Sequence, residues 1–226
     1  MQQNQCYLED TYRFNILSDV IATGADEGGQ WIALQDNIFH PQGGGQPADL
    51  GWVNDIPVVV KKQESGLVVL YPQSPFSPPV ETKVSSVVSA DARAYHAALH
   101  TAGHLLNWEM RQFGWVAVQG HHFPGESRVE FSAIDASAIP ADRLDAAEIE
   151  RIICQRLQKG AEIRSWFEGS TRLCQINQSE AMPCAGTHTD DLAKISSFSI
   201  KAIKFKKGTL RISYDAGHLP LKECHV

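Results

Sequence analysis

The chain has 226 residues, 43% of them hydrophobic and 20% charged, with a formal net charge of −6. This is enough chain and apolar material for one large domain or two small ones, which excludes a disordered protein. No apolar run nears the roughly 20 residues that span a bilayer, the start MQQNQCYLED lacks a signal-peptide pattern, and five irregularly spaced cysteines make no disulfide framework, so a reduced, cytoplasmic setting is expected.

The first ninety residues read as β structure. QWIALQDNIFHP is a short strand pattern ending at a proline, and IPVVVKKQESGLVVLYP gives two β-branched runs around a Glu-Ser-Gly turn, the pattern of a hairpin. Four prolines between Pro72 and Pro79 exclude a helix interior or central strand. KVSSVVSAD adds one more strand. Short strands with turn signals and no helical period predict a small barrel or sandwich over 1–88.

From Asp91 the period becomes helical. Leu99, Ala102, Leu106, Met110 and Phe113 recur at three- and four-residue steps, with Gly114 as the stop. RVEF is a strand candidate, and a second helix is expected from about Pro140 to Lys159, closed by Gly160. EIRSWF, FSIKAIKF and TLRISY read as strands, the last two joined as a hairpin through Lys-Lys-Gly. Helices on an antiparallel sheet make residues 89–226 an α+β domain.

Charge is uneven along the chain. Residues 1–90 carry four basic against ten acidic residues, whereas 194–211 holds six basic residues and no acid. That stretch, with Lys201, Lys204, Lys206, Lys207 and Arg211, is a solvated strand face or a phosphate-contact stripe.

Three motifs carry chemistry. His100-Thr-Ala-Gly-His104 stacks two imidazoles on one side of the first helix. Cys184-Ala-Gly-Thr-His188 adds a thiol and a third imidazole at the same spacing. Each pair alone is also what surface or core histidines produce, but three His and one Cys together form an ordinary zinc set. A zinc peptidase helix carries Glu directly after its first His; here Thr101 stands there, which argues against amide hydrolysis. The third motif, Pro41-Gln-Gly-Gly-Gly-Gln-Pro47, bares backbone N–H groups, as does a plain turn, and lacks the Lys-Ser/Thr of a phosphate loop.

In this order, FHPQGGGQPADLG, HTAGHLL and PCAGTH with a Lys-rich hairpin resemble the editing domain of alanyl-tRNA synthetase and the free-standing AlaX alanyl-tRNA editing proteins. GHHFPGESRVEF is a looser fourth match. The editing domain of threonyl-tRNA synthetase shares the paired motifs but lacks the glycine-rich β half. The resemblance implies an N-terminal β-barrel, a zinc-binding editing domain and hydrolysis of mischarged tRNA(Ala), bearing serine or glycine, by a medium form acting in trans. It also implies Zn2+ on His100, His104, Cys184 and His188, catalytic roles for Gln46 and Cys184, and a pocket between the domains faced by Gly43, Gly44, Gly45 and Gln46. The stripe from Lys201 to Arg211 becomes a candidate tRNA contact. A non-catalytic zinc-containing tRNA-binding module, or a deacylase for another mischarged tRNA, stays open as an alternative.

Two departures from the family pattern stand out: Ala185 after the cysteine in place of Gly, and His121-His122 in place of Gln and Met. The histidine pair either tunes substrate choice or lies in a loop. Cys6, Cys154 and Cys174 read as apolar fillers or surface thiols.

Overall fold

The computed structural model describes residues 3–221; Cys224 and His225, by sequence either a metal-chelating pair or a frayed tail, lie outside them. Two compact units emerge. One comprises the residues up to Gly43 together with Pro47–Ala94, the other Gly44–Gln46 and the residues from Tyr95 onward.

In the first unit, six strands close a barrel: β2 (Asn15–Asp26), β3 (Gly29–Leu34), β5 (Gly51–Val53), β6 (Ile56–Lys62), β7 (Val68–Pro72) and β8 (Lys83–Val88), in the order β2-β3-β7-β6-β5-β8. Two short strands, β1 (Asn4–Gln5) and β4 (Asp36–Asn37), pair in parallel. Period-two burial is cleanest in β8, where Val84, Ser86 and Val88 turn inward and their neighbours stay exposed. Val20, Ile32, Leu34, Phe39, Val60, Leu70 and Val88 are among the residues filling the barrel core. Arg93 is fully buried in an ion pair with Asp49, and its remaining N–H groups reach the carbonyls of Thr11 (3.0 Å) and Ile38 (2.6 Å). A buried guanidinium tied on every side is a cost offset only by such complete pairing.

The second unit is built on helix α1 (Ala90–Met110), whose continuation Arg111–Phe113 tightens into a 3-10 turn ending at left-handed Gly114. The expected single apolar stripe is too narrow a description. Ala97, Ala98, Leu99, Ala102, Leu105, Leu106 and Met110 are all buried, as are His96, His100, Thr101, Asn107 and Glu109, so polar residues are held inside on the same helix.

Four antiparallel strands, β9 (Trp115–His121), β10 (Arg128–Ala133), β14 (Ile195–Lys206) and β15 (Thr209–His218), form a sheet in the order β14-β15-β10-β9. Phe131, Leu210, Ile212 and Phe198 join the core of α1 and the second helix. The second helix starts later than the expected Pro140: 141–143 forms a 3-10 turn, and α2 (Ala146–Lys159) begins where the Asp145 carboxylate accepts the Ala147 N–H, the side chain acting as N-cap. A second sheet joins β11 (Ile163–Glu168), β12 (Thr171–Ile176) and the two-residue β13 (Met182–Pro183). The chain is thus α+β with a closed N-terminal barrel. No helix among the described residues is long and apolar enough to cross a membrane.

A candidate metal centre in the second unit

Helix geometry brings His100 and His104 to one side of α1, with ring centroids 5.0 Å apart. The segment after β13 delivers the other pair. Cys184 Sγ lies 3.4 Å from His100 Nε2 and 3.1 Å from His188 Nε2. Ligand atoms of His100, His104, Cys184 and His188 all lie within 4.8 Å of one another, so the four residues could hold a metal ion. Gly186 is what lets the segment approach α1, because a Cβ there would run into the His100 ring and sit 2.8 Å from Gln46 Oε1.

The orientation of two of the three rings is set from behind. Gln46 is fully buried, and its Oε1 is 2.8 Å from His100 Nδ1 and accepts the Thr187 N–H at 3.0 Å. Its Nε2 donates to Thr187 Oγ1 at 2.8 Å, which fixes the carboxamide with its oxygen toward His100. An amide oxygen can only accept, so His100 carries its proton on Nδ1 and turns the Nε2 lone pair toward Cys184. Thr101 does similar work for His188: its Oγ1 is 3.1 Å from His188 Nδ1 and accepts the Thr189 N–H at 3.1 Å. The position where a peptidase would carry Glu therefore supports a histidine. Sequence reading marked Thr101 only for what it replaces; its contact lies 87 residues away in the chain.

Burial, with a smaller contribution from the Arg172 charge, pushes the His104 imidazole down to about 4 and so keeps it neutral near pH 7. Burial raises the Cys184 thiol, while the Gly186 N–H and Arg172 act in the opposite direction. Arg172 is itself anchored by donating to the carbonyls of Cys184 (2.9 Å) and Gly186 (3.0 Å).

Beside the cluster opens a cleft of about 390 Å³ lined by Gly44, Gly103, Gly120, Ala185, His104 and His122, among others, and by no Asp or Glu. Gly45 touches the same region through its carbonyl, which accepts the His122 N–H at 2.7 Å. Gly43 is exposed and belongs to the first unit. His121 is half-buried beside Phe123 and Glu126, whereas His122 is buried, stacked on His100 with centroids 4.5 Å apart, and pushed down to about 3 by burial and by His104 and His121. Of the basic stripe, Lys201 approaches Asp215 at 4.0 Å and Arg211 pairs with Glu130 at 2.6 Å. Lys204, Lys206 and Lys207 are exposed and make no ion pair among the described residues. Cys6 and Cys174 are buried and Cys154 half-buried.

Fold and site together define an α+β protein with a candidate metal centre beside a small cleft. No protein-family model matches the chain. Among curated proteins it is 31% identical to the alanyl-tRNA editing protein AlaX-M of Pyrococcus horikoshii, over 76% of this chain and 79% of the relative. On that likeness the chain belongs to the AlaX-type alanyl-tRNA editing proteins. It is also 25% identical to the alanyl-tRNA editing protein Aarsd1 of Rattus norvegicus and 24% identical to the alanine–tRNA ligase of Methanocella arvoryzae, spanning 50% and 23% of their lengths.

Proposed function

We propose that the protein is a trans-editing deacylase that hydrolyses the ester of mischarged tRNA(Ala), Ser-tRNA(Ala) first and Gly-tRNA(Ala) second. The observation carrying this reading is the His/Cys cluster at the edge of a cleft whose lining includes three glycines and two alanines, in a chain of this family. The need for a separate site follows from energetics: a pocket built for alanine rejects a missing methyl or an added hydroxyl by only about 1–3 kcal/mol.

The donor set fits zinc. Tetrahedral zinc, with nitrogen at about 2.0–2.1 Å and sulfur at about 2.3 Å, needs adjacent donors roughly 3.5 Å apart. The Cys184 contacts of 3.4 and 3.1 Å support that spacing, as does the availability of both partner Nε2 atoms. Three imidazoles and one thiolate would hold the ion; with all four bound it would be closed and would position the cleft, and with one displaced its open position would supply Lewis-acid stabilisation of developing negative charge on an ester. In this reading Cys184 is a ligand next to the reacting group. Gln46 acts as a positioning residue: it holds the His100 proton on Nδ1 and presents Nε2, as Thr101 does for His188. The cleft lining offers no carboxylate base, which restricts the chemistry to an activated ester rather than an amide.

We assign 1–88 to a barrel domain and 89–226 to the editing domain. Phosphate contacts of the tRNA fall chiefly to Lys204, Lys206 and Lys207, since Lys201 and Arg211 face carboxylates. A deacylation panel tests the reading. Ser-tRNA(Ala) should be cleared with Ala-tRNA(Ala) largely spared; tRNA binding without turnover of any ester refutes it.

A further inference from the structure

The side chain of His122 fills a cradle that only glycines leave open. A Cβ on Gly103 or on Gly120 would overlap its ring. Gly103 lies inside α1, where glycine is unfavourable by roughly 1 kcal/mol relative to alanine, so the room made for this ring has a cost in helix stability. On its other side the ring stacks on His100.

Hydrogen bonding fixes which nitrogen of His122 is left as an acceptor. Tyr214 Oη donates its one proton to the Leu99 carbonyl at 2.8 Å. The 2.6 Å contact between Tyr214 Oη and His122 Nδ1 therefore takes its proton from Nδ1. Nε2 is left with a lone pair, makes no hydrogen bond among the described residues, and belongs to a ring lining the cleft next to Gly44, Gly103, His104 and Ala185.

We propose that His122 is a specificity-determining residue whose Nε2 accepts a hydrogen bond from the seryl hydroxyl of the substrate; this rests on the editing reading above. A cleft that offers a fixed acceptor favours an aminoacyl group with a hydroxyl. An alanyl methyl leaves the acceptor without its water or any replacement, which is the stronger direction of discrimination.

Two substitutions separate the nitrogens of the ring. His122→Asn keeps a donor at the δ position for Tyr214 and removes the cleft acceptor; His122→Gln keeps an oxygen or nitrogen near the ε position. In the zinc-loaded full-length protein, His122→Asn should lower the seryl-to-alanyl ratio of kcat/KM about tenfold, the size of one neutral hydrogen bond. His122→Gln should retain most of that ratio, and zinc content should equal wild type in both. The same order should appear in calorimetric titrations with 3′-seryl-amido- and 3′-alanyl-amido-adenosine, which cannot be hydrolysed. An unchanged ratio in His122→Asn, or an equal loss for both esters, overturns the assignment. If wild type hydrolyses neither ester, the editing reading fails, and the analogue titration alone decides the role of His122: no seryl preference there overturns it too.

Discussion

Gln46 gives the sharpest single test of how the site is held. Its carboxamide makes three buried hydrogen bonds, to His100 Nδ1 (2.8 Å), the Thr187 N–H (3.0 Å) and Thr187 Oγ1 (2.8 Å). Gln46→Leu keeps the volume and removes all three, leaving the His100 Nδ1–H and the Thr187 N–H buried without acceptors. Each such group costs about 1–3 kcal/mol, so folding stability should fall by about 2–6 kcal/mol. With His100 free to rotate, metal affinity should drop about 10–100-fold, as is usual when the partner of a ligating histidine is lost. Gln46→Glu is the matched control, because a carboxylate accepts from both N–H groups and lets Thr187 Oγ1 donate in return. Competition titrations against a zinc chelator, paired with urea unfolding, measure both effects. If Gln46→Leu binds zinc as tightly as wild type, Gln46 does not orient His100.

Three further outcomes are expected. Thr101→Val, nearly isosteric, removes the contact to His188 Nδ1 and the acceptor of the Thr189 N–H, and should weaken zinc about 10–100-fold in the same chelator competition. Gly103→Ala should lower the melting temperature despite the better helix propensity of alanine, since its Cβ would overlap the His122 ring and lie 2.7 Å from Tyr214 Oη; a higher melting temperature refutes the cradle. In chelator-treated protein, His104 is held neutral down to about pH 4 and His122 to about pH 3, whereas an unfolded chain takes up these protons near pH 6.5. The unfolded state then binds more protons below pH 6.5, so stability present above that pH is lost as pH falls toward 4, and His104→Gln should flatten the slope of urea midpoint against pH.

Local patterns were the most readable from sequence. Four-residue spacing on a helix puts His100 above His104 whatever the rest of the chain does, and Cys184 and His188 repeat that spacing in a segment too short to separate them widely. The barrel was legible from β-branched runs between turn residues, yet β2, its longest strand, was not: NILSDVIATGAD buries only Ser18 and Val20 and mixes polar residues on both faces. The start of α2 was set too early because Pro140 and the acidic residues after it imitate a helix N-terminus, while the actual cap is the Asp145 carboxylate.

Within the site, the missing information is long-range. Gln46 meets His100 across 54 residues and Thr187 across 141, so the glycine motif suggested a pocket wall but not a ring partner. Thr101 and His122 were visible as departures from expected patterns. Their functions depend on Thr189, Leu99 and Tyr214, which nothing in the local sequence links to them.

A zinc K-edge absorption spectrum of the zinc-loaded full-length protein tests most directly whether four distant side chains meet at one ion. One sulfur at about 2.3 Å with nitrogens at about 2.0–2.1 Å, the sulfur shell vanishing in Cys184→Ser, is the expected result. A spectrum of light donors alone, unaltered by that substitution, would contradict it.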